Sequence, residues 1–136
     1  MRRKKYKNDL ERRKANGNSK YWKAKLWAAV RKIALDRDNN CCVMCQSMNK
    51  TNVHHIIDKR YKPFCYEPNN LICLCPKCHK FDSFLAVHNN PARFFLFLKD
   101  FRKEQWEWIV EHCNSPVIID EKTTYKDKLI AIDQAS

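Results

Sequence analysis

The chain has 136 residues, an ordinary hydrophobic content of 44% and a formal net charge of +12. That length suits one compact domain and is thin for two. No apolar run is long enough to span a membrane and the basic N-terminus leads into no signal-peptide stretch, so a cytoplasmic protein without a membrane partner is expected.

The charge is uneven. Residues 1–37 hold 14 Lys/Arg against 3 Asp/Glu, whereas residues 38–136 hold 13 against 12. Such a block attracts polyanions by electrostatic steering and counterion release.

In chain order, residues 1–18 form a basic arm ending in the breaker Asn16-Gly17-Asn18, mobile or only partly helical in isolation. A basic amphipathic helix is predicted within residues 19–38, over 20–36, capped by Asn18 or Ser19. Its stripe Trp22, Leu26, Val30 and Ile33 recurs at helical spacing and reads as core. Lys23, Lys25, Arg31 and Lys32 lie on the opposite face, where they can meet phosphates. Asp38-Asn39-Asn40 breaks the helix before the first Cys pair. Residues 53–57 read as a strand, 59–70 as a loop and 71–74 as a second strand. Pro76 suits the first turn of a helix running to about residue 87, ended by Asn89-Asn90-Pro91.

A longer helix is predicted over 92–113, with Phe94, Leu98, Phe101 and Trp108 on one face and Phe97 beside it. Phe95, Leu96, Trp106 and Val110 lie off that face, so this helix is either clamped in a core or offers a surface for self-association or a protein partner. Pro116 and a β-like Val117-Ile118-Ile119 follow, then a polar amphipathic end. The working division is 1–18, 19–38, a core over 39–90 and a helical extension over 91–136.

Eight cysteines are many for this length. Without a signal peptide, the pairs Cys42-Val-Met-Cys45 and Cys75-Pro-Lys-Cys78 favour zinc over a disulfide framework. Two residues between ligands let one turn aim both sulfurs at one ion. Four thiolates leave no open position, so the zinc is expected to be structural. Replacing Cys42 by Cys41 or Cys75 by Cys73 breaks that spacing. Cys65 and Cys113 read as buried free thiols. Cys75-Pro-Lys-Cys78-His79 also spells a c-type haem attachment pattern, but that chemistry requires export and would strand Cys42 and Cys45.

Between the Cys pairs stand His54 and His55, and His79 directly follows the last Cys. With Asn70 before the second strand, this order over roughly residues 40–88 resembles the HNH (ββα-metal) endonuclease family. Size and basic arm are similar to small phage or prophage members acting in a host cytoplasm. The resemblance implies an α+β fold with a ββα-metal core, a structural zinc site and flanking helices. It implies His55 as the general base, His54 and His79 as ligands of a catalytic Mg²⁺ or Mn²⁺ (other transition metals being suited to imidazole), and Asn70 pinning the inter-strand loop. It implies hydrolysis of DNA, by nicking or double-strand cleavage, to 5′-phosphate and 3′-hydroxyl ends.

In a regular strand His54 and His55 point to opposite faces, so sharing one site requires a bent or bulged strand end. Nuclease colicins are similar but add a further His one turn after the last. Here that position is Ser83, with Asp82 beside it as a weak third-ligand candidate. His88 and His112 read as ordinary surface or packing residues. Lys59, Arg60, Tyr61 and Lys62 follow the first strand, and Lys59, Arg60 and Lys62 are placed to hold the backbone near a scissile phosphate. Two rival classes fit the cysteines and the basic arm: a zinc-stabilised nucleic-acid-binding module without catalysis, and a subunit of a phage DNA-processing or packaging machine.

Overall fold

The computed structural model describes residues 2–114 and 122–135, with side chains from residue 8 onward. The elements run α1 (Arg2–Ala15), α2 (Lys20–Arg37), β1 (Asn52–His55), β2 (Leu71–Leu74), α3 (Pro91–Phe101), α4 (Lys103–His112) and α5 (Tyr125–Ala135). Short 3₁₀ turns lie at Lys62–Phe64 and Pro68–Asn70, and one π-helical turn at Lys77–Phe81. The class is α+β, with β1 and β2 forming a two-stranded antiparallel sheet. Among the described residues no helix is long and apolar enough to cross a membrane. The expected β-like stretch at 117–119 lies outside the described residues.

The chain divides into two compact units, Met1–Val30 with Ile119–Ser136, and Arg31–Ile118. In the first, the basic arm is helical. Trp22 Nε1 donates to the Lys14 carbonyl at 2.9 Å and Ser19 Oγ to the Arg13 carbonyl at 2.6 Å, so α1 and the start of α2 close on each other. The Ser19 hydroxyl is thus engaged behind α2, and Asn18 Oδ1 accepts from the Tyr125 amide at 3.3 Å. The chain's single glycine, Gly17, is explained by close approach: a Cβ there would stand 2.6 Å from Thr124 Oγ1. Its carbonyl accepts from the Lys126 amide at 3.1 Å, which seats the start of α5.

The α2 stripe is shifted from expectation. Leu26, Val30 and Ala34 are fully buried at four-residue spacing, whereas Ile33 is exposed. The C-terminus of α2 closes in a Schellman arrangement. The Asn40 amide donates to the Leu35 carbonyl and the Asn39 amide to that of Asp36, with both Asn residues at φ 55°. Asn is the non-glycine residue that best tolerates that left-handed region.

In the second unit, β1 pairs with β2 in the register Asn52 to Leu74, Val53 to Cys73, His54 to Ile72 and His55 to Leu71. All four β2 residues are buried. The core gathers Cys42, Ile72, Leu74, Cys75, Val87, Phe94, Leu98 and Ile109. β1 is shorter than the predicted 53–57, because the Ile57 amide bonds to the Asn70 side chain instead of continuing the ladder.

Two helical expectations are corrected. Over 76–87 the chain makes only the π turn, then reverses. Asp82 Oδ1 accepts from the Phe84 and Leu85 amides at 3.0 and 2.7 Å, an Asx-type turn that draws the backbone away from a helix. The long helix over 92–113 is broken at Arg102, whose φ of −131° lies outside the helical region. Phe94 and Leu98 are buried and Trp108 is half-buried, but Phe101 is 73% exposed, and Gln105 and Ile109 take its place inside. Cys113 is likewise exposed, not buried.

The break at Arg102 belongs to a buried polar hub. Asp38, whose side chain is fully buried, receives Arg37 Nε at 2.8 Å and Arg102 Nη2 at 2.6 Å, and its Oδ2 accepts from the Cys73 amide at 3.1 Å. Arg37 also donates to the Pro68 and Leu71 carbonyls, and Gln105 to those of Asn69 and Leu71. These bonds fasten β2 to the end of α2 and to the α3–α4 corner, and so fix the frame that carries the site.

Candidate metal centres

The first Cys pair sits on a turn set by the Cys42 amide donating to the Ser47 carbonyl and the Gln46 amide to that of Cys42. Gln46 takes φ 66°, which turns the chain directly after Cys45. The second pair leaves β2, where the Cys78 amide points at Cys75 Sγ at 3.5 Å. The four sulfurs of Cys42, Cys45, Cys75 and Cys78 lie within 4.8 Å of one another, and Cys45 and Cys75 are 3.5 Å apart. A tetrahedral zinc with bonds of about 2.3 Å requires sulfur separations of about 3.8 Å, so the set fits the ion.

The rival pairings are excluded by geometry. Cys41 Sγ turns to the Asn39 carbonyl at 3.2 Å. Cys73 Sγ turns to the Ala34 carbonyl, and burial beside the Asp38 carboxylate pushes its thiol up to about 12, which keeps it protonated.

A second cluster forms from His54, His79 and His88, whose ring nitrogens also lie within 4.8 Å of one another. The ring centroids of His54 and His79 are 4.3 Å apart, and those of His79 and His88 4.4 Å. His54 comes from β1 and His79 from the π turn. His88 is brought back by the reversal of the chain. The Val87 amide donates to the Cys78 carbonyl at 2.8 Å and the His88 amide to the His79 carbonyl at 3.2 Å.

Burial first, then the neighbouring imidazoles, hold His54 down to about 3, and burial and His88 hold His79 down to about 4. Both rings are therefore neutral, the form that ligates metal. His79 Nε2 is buried with no hydrogen-bond partner. A buried ring nitrogen left unmatched on a member of this three-imidazole cluster fits a cation there. His88 is exposed, as expected of a surface residue, and also joins the candidate set, whereas Asp82 spends its carboxylate on its own turn.

His55 stands apart from the three. The strand is regular through His55, so no bulge turns the two rings together. His55 Nε2 lies 2.9 Å from the Cys65 carbonyl oxygen. A carbonyl only accepts, so Nε2 carries the proton and Nδ1 the lone pair. Burial lowers the His55 pKa against the opposing effect of that bond, which favours the neutral ring.

Asn70 is fully buried and spans the inter-strand loop. Its Oδ1 accepts from the Ile57 amide at 2.7 Å, and its Nδ2 donates to the Ile57 and Phe64 carbonyls, both at 3.0 Å. Phe64 then packs edge-on against Trp108 of α4 at 5.0 Å, which ties the loop to the core.

The basic residues singled out in the sequence divide between the units: Lys23 and Lys25 in the first, and Arg31, Lys32, Lys59, Arg60 and Lys62 in the second. Several are engaged locally. Arg31 donates to Asn52 Oδ1, Lys32 pairs with Asp36 at 2.7 Å, Arg60 pairs with Asp58 at 3.0 Å, and Lys25 Nζ lies over the Tyr21 ring. Lys23, Lys59 and Lys62 are exposed. A cavity of about 550 Å³ opens between Arg37, Val43, Phe97 and Phe101, and none of the clustered histidines lines it.

No protein-family profile, curated protein or solved structure gives a significant match to this chain.

Proposed function

We propose that the protein is a metal-dependent endonuclease of the HNH type, hydrolysing phosphodiester bonds of DNA. One observation carries the proposal: a three-imidazole cluster with an unmatched buried nitrogen stands one residue from a histidine whose proton-accepting nitrogen is fixed. The Cys42, Cys45, Cys75 and Cys78 set would hold a structural zinc. His54, His79 and His88 would hold the second ion and leave positions open for phosphate oxygens. An all-nitrogen set favours Mn²⁺, Co²⁺, Ni²⁺ or Zn²⁺ over Mg²⁺, which prefers oxygen ligands. Such an ion supplies charge stabilisation at the phosphate and at the departing 3′ oxygen.

His55 accepts the proton of the attacking water at Nδ1. The Cys65 carbonyl holds its tautomer, and Asn70 fixes the loop that carries that carbonyl. Because His54 and His55 project to opposite faces, the scissile phosphate must lie across the end of β1, which terminates at His55. That divergence also favours a second reading, a zinc-stabilised nucleic-acid-binding module without catalysis.

Supercoiled plasmid assayed across Mg²⁺, Mn²⁺, Co²⁺, Ni²⁺ and Zn²⁺, with end mapping, separates the two. Nicking is expected with at least one transition metal, leaving 5′-phosphate ends. His55→Ala should lower its rate by about a hundredfold or more, the usual contribution of a general base. Undiminished cleavage by that variant would remove His55 from the chemistry, and binding without cleavage in any metal would favour the module.

A further inference from the structure

Residues 80–87 form a loop closed at its base by the bonds from Val87 to Cys78 and from His88 to His79, two of the three histidines of the second cluster. The loop is braced. Asp82 Oδ1 accepts two of its amides, Asn89 Nδ2 donates to the Lys80 and Asp82 carbonyls, and Arg93 Nη1 donates to that of Leu85. From this stiff turn Phe81 and Phe84 project with 78% and 71% of their surface exposed. Two large aromatic rings so exposed on an ordered turn mark an interaction surface. Lys77 opens the π turn that leads into the loop, Lys80 directly precedes Phe81, and both lysines are exposed.

Exposed aromatic rings and lysines on one short stretch of chain match a strand of nucleic acid, whose bases offer flat apolar faces and whose backbone is anionic. An intact duplex hides those faces. We infer that Phe81 and Phe84 form a stacking wedge for unpaired bases. Lys77 and Lys80 hold the adjoining backbone, so that the strand entering the His54–His79–His88 cluster is single-stranded or locally opened. This inference rests on the nuclease reading of that cluster and names its substrate class.

The test is fluorescence anisotropy of the full-length, zinc-loaded protein, without added catalytic metal, on labelled oligothymidylate and on a duplex of the same length. The wild-type protein should bind the single strand about tenfold more tightly. Phe81→Ser/Phe84→Ser should weaken single-strand binding by about tenfold or more and duplex binding by less than about twofold, while Phe81→Trp/Phe84→Trp should retain it. Quenching of 2-aminopurine in the strand by the wild-type protein reports stacking directly, and its absence counts against the wedge even if the serine variant fails to fold. Unchanged strand binding by a folded serine variant, or equal losses on both nucleic acids, overturns the inference. So does self-association of the wild-type chain that the serine substitutions abolish, since it assigns the rings to a second copy. His55-dependent nicking combined with unchanged strand binding removes the wedge and keeps the nuclease. Phe-dependent strand binding with no nicking in any metal removes the nuclease and keeps the wedge as a binding surface.

Discussion

Along a continuous helix, His88 would stand about 13 Å from His79, too far to share an ion. In the fold their backbones are bonded to each other and their rings nearly touch. His79→Ala and His88→Ala should therefore each weaken binding of a second Mn²⁺ or Co²⁺ by more than tenfold, a roughly minimal cost for losing a ligand. Mass spectrometry should still count one zinc per chain in both variants. Loss of that zinc in His79→Ala would mean that the two sites are mechanically one. The cysteines were legible in the sequence because ligand spacing within a turn is a local property. The resemblance implies Asn70 as a loop pin, and its buried side chain bonds both Ile57 and Phe64. His88 was not legible, because reading a helix over 76–87 passed over the turn chemistry of Asp82 and Asn89. Those two residues were the available signal: side chains that bond nearby backbone compete with a helix.

Among the elements, β2 and the span of α2 follow their local patterns, but the α3–α4 corner does not. Its apolar spacing runs unbroken through Arg102, so nothing local announces a break. The cause is tertiary: Arg102 is drawn to Asp38, 64 positions earlier, and Gln105 to the Leu71 carbonyl of β2. Burial raises the Asp38 pKa, but Arg37 and Arg102 outweigh it and leave the value below its usual 3.8. Asp38→Asn would leave two guanidiniums without their shared counter-charge and should destabilise the second unit by about 3 kcal/mol. A carboxylate with a depressed pKa contributes stability above its unfolded pKa, about 3.9, and loses it as pH falls through the folded value. Urea unfolding in excess zinc should thus show the same gap between wild type and Asp38→Asn at about pH 7 and pH 5, closing only below about pH 4. A gap that already narrows between the two higher values would show that the arginines do not hold the carboxylate ionised.

For the molecule as a whole, the excess charge lies toward the N-terminal end and the candidate metal ligands in the middle, with residues 1–30 of the basic block in the first unit and those candidate ligands in the second. The second unit contains two strands of four residues each, too little sheet to be stable alone. Its core is small, and two of the four clustered cysteines, Cys42 and Cys75, are themselves members of it. A zinc ion held by the four cysteines would join the turn before β1 to the end of β2 from inside the core. Structural zinc contributes on the order of 10 kcal/mol to folding of small domains, which is comparable with the whole stability of an ordinary domain. Removing it with a strong chelator under reducing conditions should collapse hydrogen-exchange protection at the Leu71–Leu74 amides. Near-ultraviolet dichroism from Phe64 and Trp108, which pack on each other, should fall with it. Cys75→Ser should behave as the chelated protein does, and Cys41→Ser as the native one, because Cys41 Sγ points away to the Asn39 carbonyl. Retained protection across β2 after complete zinc removal would show that the polar hub around Asp38 and the apolar core hold the sheet without the metal, and the four cysteines would then need another role.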